Sequence, residues 1–235
     1  MFRTYTFAHS LNLVVHILAG TLALGLGLVA IVSSKRSRLH ARAGMLFIYT
    51  YSVVVTTAIL GLLIFQFRSF LAVVTILSLY DVISGYRALQ LRGRRPQAID
   101  TIATCFGALT PWLFISAMHY LHRPWAPVLT WSILGGLVLI SGYDLLRNIL
   151  PERWLRKVWV YEHLYKMMSA YIAITSAFAA TVFERYMPWS AIVPSALGFT
   201  VIAGFFIAGP RAWRHPAKTA SSNSTTLEAT AQPLD

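Results

Sequence analysis

An all-α bundle of about seven membrane-spanning helices, polytopic, with its N-terminus outside and its C-terminus in the cytoplasm, is the fold this sequence predicts. Three observations predict it. Of 235 residues 57% are hydrophobic and only 12% charged, well above the apolar share of about 45–50% in a water-soluble domain. Apolar runs of about 20 residues recur along the chain, each long enough to cross roughly 30 Å of hydrocarbon at about 1.5 Å per residue. The basic residues alternate in density from one connecting loop to the next, as the positive-inside rule requires.

The runs are Leu11 to Val32, Ala43 to Phe65, Phe70 to Leu89, Ile102 to Leu121, Pro127 to Leu146, Leu164 to Phe183 and Trp189 to Ala208. The first follows a single positive charge, Arg3, and has no early small-residue cleavage site, so it reads as a retained helix rather than a signal peptide. Each run is continuous rather than alternating. That excludes barrel strands, because backbone polar groups in lipid are satisfied within a helix or around a closed barrel. The seven runs form one membrane domain over 1–210, and the Ser, Thr, Ala, Asn and Gln of 211–235 read as a disordered cytoplasmic tail.

Orientation follows from the loops. Lys35, Arg36, Arg38 and Arg42 lie in the first, Arg87, Arg92, Arg94 and Arg95 in the third, and Arg147, Arg153, Arg156 and Lys157 in the fifth. Arg211, Arg214 and Lys218 follow the last run. The opposite side holds Arg3, Arg68, Arg123 and Arg185, so the tally is fifteen against four with Lys166 set aside. Trp125, Trp154, Trp159, Trp189 and Trp213 fall near run ends, where amphipathic rings favour the head-group zone. The net charge of +12 is thus topological and a match for anionic lipid, and nucleic acid is not an expected partner. The expected partner is the lipid bilayer. The lone Cys105 cannot form an internal disulfide, and P-loop, Gly-x-Ser-x-Gly, His-Glu-x-x-His and paired-Cys signatures are absent.

Ile83-Ser84-Gly85-Tyr86 ends the third run and Ile140-Ser141-Gly142-Tyr143 the fifth. A polar residue stands before each even-numbered run: His40, Asp100 and His163. This suggests three repeated helical hairpins with a seventh helix appended.

Polar residues at membrane depth need a partner or a task. His16 and His119 fall at the outer depth, His40 and His163 at the inner one. Two imidazoles facing across a helical bundle are axial ligands suited to b-type haem. The plainer reading makes each histidine an interfacial side chain bonded to a backbone carbonyl. Gly20, Gly25 and Gly27 along the His16 helix allow either close helix packing or room for a flat cofactor. A different inner site groups His40, Asp100 and His163 as two imidazoles and a carboxylate, a donor set for iron or zinc. Asp81, on the inner half of the third run, either pairs with Arg87 or an inner histidine, or serves a proton path.

His16-Ile-Leu-Ala-Gly20, Arg38-Leu-His40-Ala-Arg-Ala-Gly44, Ser84-Gly85-Tyr86-Arg87 with Asp100, and His163 ahead of Met167 and Tyr171 resemble a family of bacterial predicted multi-pass membrane proteins, domain of unknown function 2306. The resemblance spans about residues 10 to 180. It implies a bacterial inner membrane and brings no activity with it. The histidine placement is also similar in kind to transmembrane b-type cytochromes with one haem per leaflet. Those proteins take their ligands from four consecutive helices, whereas the pairs here use the first and fourth and the second and sixth. The expected function is therefore an inner-membrane protein with a small buried polar site, read either as a b-type haem electron carrier, as a transporter or channel with an Asp/His path, or as an assembly partner without chemistry.

Overall fold

The structure is a computed structural model and describes residues 7–122 and 127–208. The tail expected over 211–235 lies outside the described residues, as do Arg3, Arg123, Trp125 and Trp213.

The described residues form seven α-helices and no strand: α1 (Phe7–Val32), α2 (Arg38–Leu60), α3 (Ser69–Leu91), α4 (Ala98–Tyr120), α5 (Pro127–Leu146), α6 (Glu152–Val182) and α7 (Trp189–Ala208). A π-helical turn, Gly61–Phe65, extends α2, and a 3-10 turn, Glu184–Tyr186, precedes α7. Both prolines inside helices, Pro111 and Pro194, leave α4 and α7 continuous. All but α6 are long and apolar enough to cross a membrane.

Large apolar side chains cover the outside. Leu18, Leu63, Phe106, Trp112, Leu139 and Ile207 are each exposed over more than half their surface. In water such a surface would cost about 25 cal/mol per Å². In a bilayer it is the solvated face, so the chain is a multi-pass membrane protein whose partner is lipid.

The even-numbered helices begin earlier than their apolar runs, and polar side chains explain where. Ser37 caps α2 by accepting the His40 N–H at 3.0 Å. Gln97 and Asp100 cap α4, the Asp100 carboxylate accepting the Gln97 N–H at 2.8 Å. The largest extension is in α6, which starts at Glu152 rather than near Leu164 and runs 31 residues, about 46 Å at 1.5 Å per residue.

The packing order corrects the expected three-hairpin repeat. α1 and α2 do pack as a hairpin, but α3 packs chiefly on α6, α5 packs on α4 and α3, and α7 packs on α6. The bundle thus has two groups, α1–α2–α6–α7 and α3–α4–α5, joined chiefly where α3 meets α6 and also where α3 meets α2. Gly85 makes that crossing close. A Cβ there would stand 3.0 Å from the Lys166 Cβ and 3.2 Å from the Met167 Sδ, so a side chain at this position would crowd α6. α5 and α6 have little backbone proximity. Long polar side chains cross the space between them.

Candidate functional site

α6 is the least apolar helix, and two of its charges, Glu162 and Lys166, point inward. Among the described residues the buried charged side chains are Asp81 on α3, Asp144 on α5, Arg147 just after α5, and Glu162 and Lys166 on α6. All five gather around the α3–α5–α6 junction.

Helical spacing builds the network. Asp144 and Arg147 are three residues apart and Glu162 and Lys166 four apart, so each pair shares a helix face. Lys166 Nζ donates to both Asp144 oxygens, at 2.6 and 2.8 Å. Tyr80 Oη donates to Asp144 Oδ2 at 2.7 Å. Its ring reaches that position because Gly107 on α4 leaves room; a Cβ there would lie 2.5 Å from the ring. At the C-terminal end of α5 Arg147 stands between the acids, Nη1 at 3.7 Å from Asp144 and Nε at 3.4 Å from Glu162. Tyr143 Oη donates to the other Glu162 oxygen. Asp144 is thereby fully countered, as a buried carboxylate must be.

Asp81 is not. It is 0% exposed, and neither carboxylate oxygen meets a hydrogen-bond donor among the described residues. The Ser169 hydroxyl lies beside it without forming a bond of ordinary geometry, and the Lys166 charge is near but committed to Asp144. The Ser84 hydroxyl, one helical turn on, is also buried and unpartnered. Twelve residues into a 23-residue helix, Asp81 sits near the middle of α3. The expected pairing with Arg87 does not form: Arg87 instead grips Asp100 through Nε and Nη2.

That grip also removes Asp100 from the expected inner metal set with His40 and His163. Among the described residues no three His, Cys, Asp or Glu side chains stand together as metal ligands. His40 and His163 do lie near each other, close enough for their charges to interact, with Lys35 alongside. Burial pushes the Lys35 ammonium below its usual value, and it donates to the Ala30 carbonyl at 3.2 Å. The outer histidines are not brought together. His119 is exposed on α4, in one helix group, while His16 lies on α1, in the other, with Nδ1 at 2.8 Å from Thr57 Oγ1.

The partners assign the histidine tautomers. A carbonyl only accepts, so His40 Nδ1 donates to Ala30 O at 2.8 Å and His163 Nδ1 to Gly85 O at 3.0 Å. The Thr57 hydroxyl spends its proton on its own helix, at Val53 O and Val54 O, so it accepts from His16. In His40 and His163 Nε2 is the nitrogen left free. Gly20 and Gly25 have open space around them, and only Gly27 of the three α1 glycines meets a neighbour, the Tyr171 ring.

Sequence reading placed Asp81 and the inner histidines but missed Asp144, Arg147, Glu162 and Lys166. The available signal was the pair of i,i+3 and i,i+4 charge couples flanking two apolar runs.

The fold and the site define a polytopic helical membrane protein with an ionic network inside the bundle. Compared with family models, with curated proteins and with solved structures, the chain matches none.

Proposed function

We propose that this chain moves protons across a bacterial inner membrane as part of a transport cycle, with Asp81 as the carrying group. The observation that supports the reading is the charge balance. Three buried acids, Asp81, Asp144 and Glu162, face two buried bases, Arg147 and Lys166. In a low-dielectric interior the surplus negative charge is costly unless one acid takes up a proton. Asp144 and Glu162 have countercharges and tyrosine donors; Asp81 has neither. Asp81 is therefore the acid that holds the proton, and the polar side chains between α5 and α6 are proposed as the groups that relay it.

The test is proton flux into liposomes holding the purified chain, driven by a potassium diffusion potential or by a cation gradient and read with an enclosed pH-sensitive dye. Wild type acidifies or alkalinises the lumen, and Asp81→Asn does not. Equal flux in both ends the reading.

A second reading has its own support in the inner histidines. His40 and His163 each hold Nδ1–H on a backbone carbonyl and leave Nε2 free, the arrangement that orients an imidazole as a metal ligand. On this reading the two residues would be the ligands of a b-type haem, which would supply one-electron transfer; His16 and His119, on helices of different groups, are not brought together as a second pair. Protein expressed with haem supply would show a Soret band that shifts with dithionite and is lost in His163→Ala. A spectrum without that band excludes this second reading.

A further inference from the structure

The buried charges come up one cation short, and a proton is only one of the cations that fill such a place. We infer that Asp81 exchanges its proton for an alkali metal cation, so that the chain works as an electroneutral cation/proton exchanger. This inference rests on the reading of Asp81 as the proton carrier.

The donor atoms set the chemistry of the occupant. Both Asp81 oxygens and the Ser84 Oγ are buried without hydrogen-bond partners, and Ser169 Oγ lies beside the carboxylate from the facing helix. Ser84 follows Asp81 by three residues and so occupies the same helix face. These are hard oxygen donors, with no imidazole or thiolate among them, and hard cations take such ligands. A cation here is held from two helices, α3 and α6, at the crossing Gly85 keeps tight.

Lys166 does not fill the place itself. Its ammonium is fixed on Asp144, and Tyr80 supports that carboxylate from α3. The other groups whose charge reaches Asp81 are Tyr51 from α2, Tyr80 on α3, Asp144 from α5 and Tyr165 from α6. None of these supplies a resident positive charge. In the exchange the carboxyl O–H bond breaks, the proton leaves to water, and one monovalent cation takes its position on the same oxygens. The buried cluster is neutral before and after, so turnover moves no net charge.

The experiment uses the full chain in phosphatidylethanolamine–phosphatidylglycerol vesicles with an acid interior. NaCl, KCl, LiCl or choline chloride is added outside, and the pH gradient is followed by dye fluorescence. Wild type collapses the gradient with at least one alkali chloride and not with choline chloride, at a rate unchanged when the membrane potential is clamped to zero. Asp81→Asn abolishes the collapse. Ser84→Ala and Ser169→Ala, which keep the carboxylate, raise the half-saturating cation concentration about ten-fold each, the scale of losing a group that supports a cation site. Unchanged elution of the variants as folded protein–detergent particles separates these losses from misfolding. Collapse at the same rate in all four chlorides overturns the exchange and leaves proton carriage standing. No proton movement under any gradient or potential overturns both.

Discussion

Asp144 and Asp81 are buried to nearly the same degree in the same bundle, yet their surroundings are opposite. Around Asp144, at the inner end of α5, an ammonium, a tyrosine hydroxyl and a guanidinium converge. Around Asp81, near the middle of α3, no donor completes a bond. The first region is a clasp: its charges tie α3, α5 and α6 together where their backbones do not all touch. The second holds an acid whose carboxyl oxygens bond no neighbouring helix. In a membrane interior an uncompensated carboxylate persists when it serves a task.

The largest break in this contrast comes from Lys166→Met, which turns Asp144 into a second uncountered acid. Removing one partner of a buried ion pair costs about 3–5 kcal/mol. Thermal unfolding of the variant in detergent is expected at a clearly lower midpoint, and adding Asp144→Leu is expected to recover most of the loss. A smaller effect follows from Gly85→Val, whose extra carbons meet Lys166 and Met167. Overpacking of this kind costs about 1–3 kcal/mol, and it should separate the clasp from Asp81 without altering either charge. The smallest stability change sharpens the contrast: Asp81→Asn exchanges a protonated carboxyl that no group pairs for a neutral amide of the same shape, so its unfolding midpoint is expected to stay level. Within about 1 kcal/mol of wild type, it would lose transport while keeping its fold, the reverse of Lys166→Met.

Much of the fold was legible because lipid imposes a simple rule on sequence. Continuous apolar runs and loop charges located α1 to α5 and α7 closely; α7 begins and ends at Trp189 and Ala208 as the run does. α6 was legible only in its outer two-thirds. Its first turns, from Glu152 to His163, are polar, so a rule based on apolar length ends the run where the helix in fact continues. The same rule set Lys166 aside and assigned Arg147 to a loop, although the packing of α3 and α5 around α6 buries both. Asp81 stood out because a carboxylate inside an apolar run is conspicuous from composition alone. Its lack of a partner was not readable, since Arg87 lies six residues away and only the fold shows that it turns to Asp100. The separation of α1 from α4 that keeps His16 and His119 apart was not readable.

Infrared spectroscopy of the lipid-reconstituted chain at neutral pH bears most directly on Asp81. A carbonyl stretching band of a protonated carboxylic acid is expected, one that shifts in heavy water and is missing from Asp81→Asn. A spectrum with only ionised carboxylate bands, identical in wild type and variant apart from one carboxylate, would contradict a protonated Asp81.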